Sequence, residues 1–313
     1  MALTMDRGPG RQVLSGIDLP GDAGESCADG LAALAASVAD NIDRIQRSAG
    51  DDVIHQLRVS ISRLSTALRI RGRRRLHLRR RRLRRELRWL RRRLAGARDW
   101  DVFAAHHSIR DTAVSDYDPL LAIAAHERMV GRDRIALAVR SRRCFDLTDA
   151  LRRLEQAAAD AERTAPTSDL PGAITAARLL ERQLRKILRN SSHPASLSPR
   201  ALHKLRARIR RLRYSCEYLG PLFRTDNSVY LKILAELQKT LGQYNDSYVV
   251  HGLAQAAAAL LDAARVEAIT ASHRSETDAL GRKLRKEIAR LRRLTPYWAL
   301  GAGRNEPLRL AET

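Results

Sequence analysis

A chain of 313 residues, 44% of them hydrophobic, is long and apolar enough to bury a core, so its charge does not imply disorder. The formal net charge of +23 points instead to an anionic partner: nucleic acid, an anionic membrane or a phosphate polymer. Only six of the 58 basic residues are lysine, and arginine is the side chain that grips phosphate through paired hydrogen bonds. Cys27, Cys144 and Cys216 are odd in number and widely spaced, which argues against a disulfide framework or a zinc site. The opening "MALTMDRGPGRQVLSG" holds no long apolar run, and no stretch approaches about 18 apolar residues, so neither a signal peptide nor a membrane span is expected. The expectation is a cytoplasmic protein.

Residues 1–25 read as a flexible N-terminal segment. From there helix signals run almost without interruption. Residues 31–46, "LAALAASVADNIDRIQ", are rich in helix formers. Ile54, Leu57, Ile61, Leu64 and Leu68 recur in steps of three and four, the stripe of an amphipathic helix. Residues 71–94, "RGRRRLHLRRRRLRRELRWLRRRL", hold 14 arginines and a single acid, Glu86. Leu83, Leu87, Leu90 and Leu94 still mark a core stripe there. Like charges four apart repel, so bound anions would relieve this helix; a merely solvated helix or a nucleic-acid patch are the other readings. Residues 119–140, 173–188 and 249–269 again favour helix, and Leu202, Leu205, Ile209, Leu212 and Cys216 repeat the amphipathic stripe. Breaks fall at 8–10, 116–119, 165–172, 191–199 and 295–298. Runs of β-branched and aromatic residues are missing, so the expected class is all-α. The boundaries expected are a first helical half over 26–164, a linker at 165–172, a second half over 173–295 and a tail at 296–313.

The halves repeat each other. "IHQLR" at 54–58 returns as "LHKLR" at 202–206, an offset of 148. His55 then matches His203, and Arg58, Ile61, Arg63 and Leu64 match Arg206, Ile209, Arg211 and Leu212. Further on, Leu94, Asp99 and Val102 match Leu241, Asp246 and Val249 at an offset of 147. Two matched motifs at nearly one offset indicate a duplicated helical unit, two bundles side by side.

His203, Arg206, Arg210 and Arg213 share one helical stripe, with Arg211 on the other side of His203. The first copy keeps His55, Arg58 and Arg63, but has Ser62 and Ser65 where the second has Arg210 and Arg213. A histidine among fixed cations suits a phosphate ligand, whose charge would favour the protonated ring. The plainer reading is a solvated basic face with a histidine bonded to a neighbouring helix; recurrence at matched positions favours the ligand. Asp99, Asp101 and the Asn245–Asp246 pair raise a metal site, but an aspartate after a short glycine-containing turn is better explained as a helix start. His77, His106, His107, His126, His193, His251 and His273 show no ligand spacing.

The pairing of "IHQLRVSISRLSTAL" with "LHKLRARIRRLRYSCEYL", each followed by L-[AG]-x-x-[RN]-D, resembles the CHAD family, the conserved histidine alpha-helical domain, over about residues 26–295. The resemblance implies one CHAD domain made of two four-helix-bundle-like halves with pseudo-two-fold symmetry. It implies binding of inorganic polyphosphate in a basic central groove and association with polyphosphate granules and their proteins in the cytoplasm. His55, Arg58, Arg63, His203, Arg206, Arg210, Arg211 and Arg213 would line that groove, with Arg92 and Lys239, matched just before the downstream motif, as further candidates. No catalytic residue, cofactor, metal or membrane is implied. The sequence departs from the pattern at Ser60, Ser62 and Ser65, where the second copy is basic, so the first wall is expected to bind less strongly. The arginines of 71–94 are expected to extend the binding surface. A fused triphosphate-tunnel barrel would carry an ExExK signature; none is present, so a stand-alone binding module is expected. Non-specific RNA or DNA binding is the alternative, supported by charge alone: an aromatic content of 4% leaves few stacking platforms, and no zinc finger or RNP motif appears. A polyphosphate-processing enzyme would need positioned metals or a phosphate loop, and neither pattern occurs.

Overall fold

The computed structural model describes residues 23–47, 50–70, 77–94, 119–164, 172–191, 197–223, 225–256 and 263–300. Residues 1–22, most of the expected 165–172 linker, and Asp99, Asp101, His106, His107 and His193 lie outside them. The regular elements among the described residues are all helical, as the sequence led us to expect. They are α1 (Ala23–Arg47), α2 (Asp51–Ile70), α3 (His77–Arg93), α4 (Pro119–Val139), α5 (Arg142–Thr164), α6 (Ala173–Arg189), α7 (Pro199–Leu219), a 3-10 turn (Gly220–Leu222), α8 (Ser228–Ala256), α9 (Ala263–Arg293) and α10 (Tyr297–Leu300). None of them is long and apolar enough to cross a membrane.

The three stripes read from the sequence face inward. Leu57, Leu64, Leu87, Leu90, Leu94, Ile209 and Leu212 are fully buried, and their stripe neighbours nearly so. α1 lies against α2 and α5, and α3 packs on α2, α4 and α5. In the second half α7 lies against α6 and α8, and α8 pairs with α9. Helices before and after the 165–172 break meet where α2 crosses α7, and where α1 touches α7 and the 3-10 turn, so one apolar cluster runs through both sets. Burial of such stripes is the dominant favourable term for helices this polar on their outer faces.

Local chemistry sets the helix ends. Ser198 accepts a hydrogen bond from the Ala201 amide at 3.3 Å and Pro199 opens α7, so the break at 191–199 ends in a capped start. α4 and α5 are separated by a tight turn that the sequence did not announce. There the Ser141 hydroxyl accepts from the Cys144 amide at 3.3 Å and donates to the Ala138 carbonyl at 2.6 Å. One expectation is overturned at "LGQYND": these residues lie inside the continuous helix α8, so Asp246 does not start a helix. Gly242 is buried there, with the Arg206 guanidinium in ordinary contact distance, 3.7 Å from where a Cβ would sit.

Ser60, Ser62 and Thr66 are buried on α2. Their hydroxyls donate to the Leu57, Arg58 and Ser62 carbonyls at 3.0, 2.8 and 2.9 Å, which satisfies them within the helix. Burial pushes the Cys144 thiol up to about 11, with Asp43 adding to it, and pushes the Cys216 thiol higher still. Both therefore behave as inert core groups.

Residues 297–300 fold back onto α6. α10 packs on α6, with Trp298 only 2% exposed. The Trp298 indole donates to Glu181 and the Tyr297 hydroxyl to the Cys216 carbonyl, both at 3.3 Å. Tyr230 meets the two rings edge-on, with centroids 4.9 Å from Trp298 and 5.9 Å from Tyr297. Trp298→Ala is expected to cost about 3–5 kcal/mol of stability, read as a lower urea midpoint. An unchanged midpoint would show that α10 is not part of the folding unit.

Candidate functional site

α2 and α7 cross in antiparallel fashion. Arg63 meets Glu217, while Arg69, further along α2, lies within Coulombic reach of Arg211, further back along α7. His55 and His203 stand near the N-terminal ends of their helices, so they lie toward opposite ends of the pair, on the order of 30 Å apart. Both are exposed.

The duplicated arginines divide by what they touch. Arg58 donates to the carbonyl of Leu94 at the end of α3, where a cation also complements the helix dipole. Arg206 lies against Gly242 of α8. The downstream motif that contains Leu94, Leu241 and Gly242 is therefore the landing point for the arginine of each histidine motif. Arg63 and Arg213 do something else. Arg63 Nε lies 3.1 Å from Glu217 Oε2, and Arg213 Nε 3.0 Å from Glu217 Oε1. The Glu217 side chain is 16% exposed, and Arg63 also stacks over the Tyr214 ring at 5.6 Å. Oε2 of this carboxylate thus ties α2 to α7, while Oε1 holds Arg213 of its own helix.

The opposite arrangement is found around α3. Arg84, Arg88 and Arg91 occupy one face of that helix at spacings of four and three. They lie within Coulombic reach of Arg69 of α2 and of Arg210 and Arg211 of α7. Partial burial, with Arg211, Arg84, Arg88 and Arg91 adding like charge, pulls the Arg69 guanidinium down to about 10. Arg84 is pulled down by burial, Arg88 and Arg211. Arg91 is pulled down by burial, Arg88 and Arg92. Arg210 is pulled down by burial, against the Tyr214 phenol, with Arg206, Arg91 and Arg211 adding to the shift. Apart from that phenol, the charges named as acting on these four groups are all guanidiniums. Arg92 stands at the edge of the cluster through Arg91, and Lys239 is exposed on α8.

Glu86 does not reach into this face. It accepts from Arg143 Nε at 2.6 Å and Arg85 Nε at 3.1 Å, and Arg143 lies over the Trp89 ring at 4.5 Å. Burial raises the Glu86 carboxyl, but the two arginine hydrogen bonds outweigh it and hold the group below its ordinary value. The acid in the arginine run is thus used to fasten α3 to α5.

Arg69 and Glu217 were not singled out by the sequence. Each extends a stripe that begins with a histidine, His55–Arg58–Ser62–Ser65–Arg69 and His203–Arg206–Arg210–Arg213–Glu217, and the two residues sit 148 apart. A second polar group also escaped notice. His251 and His273 stack across α8 and α9 with ring centroids 4.4 Å apart, and Ser247 Oγ lies 2.8 Å from His273 Nδ1. Among the described residues no three His, Cys, Asp or Glu side chains converge as metal ligands.

Among the described residues no carboxylate is found acting on Arg69, Arg84, Arg91 or Arg210. The CHAD domain family model matches residues 30–255, and the chain belongs to that family. It is similar to the crystal structure of the CHAD domain from the plant Ricinus communis, with 24% identity over 89% of this chain and 94% of that one and a TM-score of 0.64. It is also similar to PptA from Streptomyces chartreusis, with 17% identity over 88% of this chain and 100% of that one and a TM-score of 0.63. Both likenesses bear on the fold. No curated protein matches the chain.

Like charges that crowd the free protein cost stability, so their removal is expected to stabilise it. Arg88→Gln, which relieves several pairs at helical spacing, should gain about 1 kcal/mol at low salt. That corresponds to a melting temperature about 2–4 °C higher. A lower melting temperature for this variant would show that Arg88 is held by an attraction.

Proposed function

We infer that the chain binds inorganic polyphosphate without transforming it, and that this binding targets it to polyphosphate granules. The observation that carries the reading is the cluster of Arg69, Arg84, Arg88, Arg91, Arg210 and Arg211, in which no carboxylate acts on Arg69, Arg84, Arg91 or Arg210 among the described residues. The family is known for polyphosphate binding, and its domain is in general a binding domain rather than an enzyme. A linear polymer with charge on every unit suits a run of guanidiniums spread along three helices. Each phosphate oxygen accepts charge-assisted hydrogen bonds. Release of counterions adds a salt-dependent term of the kind known for nucleic acids. His203 and Arg206 lie on the same stripe of α7 as Arg210 and extend the path toward the start of that helix. Arg92 extends it along α3. His55 and Arg58 hold the corresponding place on α2, and Lys239 on α8.

Nucleic acid is the competing ligand, favoured by the net charge of +23. A direct competition separates the two. Labelled long-chain polyphosphate is bound near physiological salt and then challenged with single-stranded RNA or duplex DNA at equal phosphate concentration. Retention of polyphosphate against both supports the proposed function. Ready displacement by either nucleic acid would reduce the site to a generic polycation.

A further inference from the structure

The duplication places two equivalent positions for every groove residue, and the two sets have diverged in charge. In the register that superposes the buried stripes, Leu83, Leu87, Leu90 and Leu94 of α3 fall on Tyr230, Leu234, Leu237 and Leu241 of α8, all buried. The arginines beside that stripe, Arg84, Arg88 and Arg91, then fall on Leu231, Ala235 and Gln238. Between α2 and α7, Arg210 falls on Ser62, which is buried and bonded to its own helix, and Arg69 falls on Glu217. Only Arg211 meets a cation at its counterpart, Arg63. That cation is already held by Glu217 at 3.1 Å, together with Arg213.

One contact and one Coulombic pairing across the α2–α7 crossing show the consequence. Arg69 with Arg211 and Glu217 with Arg63 are the same pair of positions, exchanged between the copies. On one side two cations lie within Coulombic reach of each other, with no carboxylate acting on Arg69 among the described residues. On the other a carboxylate stands between two guanidiniums, where a phosphate would otherwise bridge them. We propose that this protein holds its polyanion on one side only, the α2–α3–α7 side, and that Glu217 acts as a built-in anion that closes the equivalent position on the other. The proposal rests on the polyphosphate reading and narrows it: duplicated walls do not mean duplicated binding. A carboxylate fixed on α7 also competes without loss of translational freedom, so an external phosphate does not displace it at ordinary concentrations.

The test uses the full chain and sodium polyphosphate of defined length, with affinity measured over a series of salt concentrations. The slope of log affinity against log salt reports the number of phosphates neutralised. Three variants are compared with the parent, each checked for helicity and melting temperature. Arg84→Gln/Arg88→Gln/Arg91→Gln removes charge from the open side. Arg79→Gln/Arg82→Gln/Arg93→Gln removes the same charge from exposed positions on the opposite face of α3. Glu217→Gln releases Arg63 and Arg213 while keeping a polar side chain in place.

The first variant is expected to lose about 100-fold or more in affinity at low salt and to show a flatter slope. The second is expected to stay within about threefold of the parent, as diffuse charge does at the Debye lengths of the assay. Glu217→Gln is expected to bind about three- to tenfold more tightly, with a slope steeper by about one to two units. Equal losses in the two triple variants, or a Glu217→Gln slope identical to the parent's, would overturn the one-sided site. Parent protein that fails to bind polyphosphate would overturn the proposed function itself, and with it this inference.

Discussion

Guanidiniums at helical spacing repel, and the rest of this structure arranges itself around that repulsion on α3. Three devices hold the helix in place. The leucine stripe is buried to zero exposure at Leu87, Leu90 and Leu94. Glu86 binds Arg143 of α5, which in turn covers Trp89. Arg58 reaches the Leu94 carbonyl and takes the end of the helix dipole. None of these devices neutralises the face that carries Arg84, Arg88 and Arg91. That face lies within Coulombic reach of further arginines of α2 and α7, so among the described residues the fold concentrates positive charge there. A site kept at a cost in stability is a common mark of function.

The stripes and the all-helical class were legible because each is a property of spacing. Ile54 to Leu68 and Leu202 to Cys216 are buried as their periods require, and α7 starts at its Ser-Pro cap. What the spacing could not give is which arginines meet an acid. Arg63 and Arg213 look like Arg211 and Arg210 in sequence, yet the first two grip Glu217, a residue of the other half for Arg63. That distinction depends on the antiparallel crossing of α2 and α7, a tertiary fact. The signal was present in one form: Glu217 and Arg69 are matched positions of opposite charge. A repeat is usually read for what it keeps, and here the informative positions are those where the copies differ.

Asp246 went astray for a related reason. A glycine followed by polar residues resembles a helix start, but the helix continues through Gly242. His251 and His273 could not be paired from sequence because they stand on neighbouring helices, 22 positions apart. Tyr297 and Trp298 sat in a break by local rules, yet burial of both rings draws the chain back onto α6.

The central claim is that the arginine cluster is built for a polyanion and strained without one. Thermal unfolding tests it most directly. The protein would be melted at low salt with rising polyphosphate, and in parallel with sodium chloride at matched ionic strength. At about a hundredfold over the dissociation constant, ligand binding contributes about 2.7 kcal/mol. The account therefore predicts a rise of about 5–10 °C with polyphosphate, well beyond the chloride control. A midpoint that follows ionic strength alone, or falls as polyphosphate is added, would contradict it.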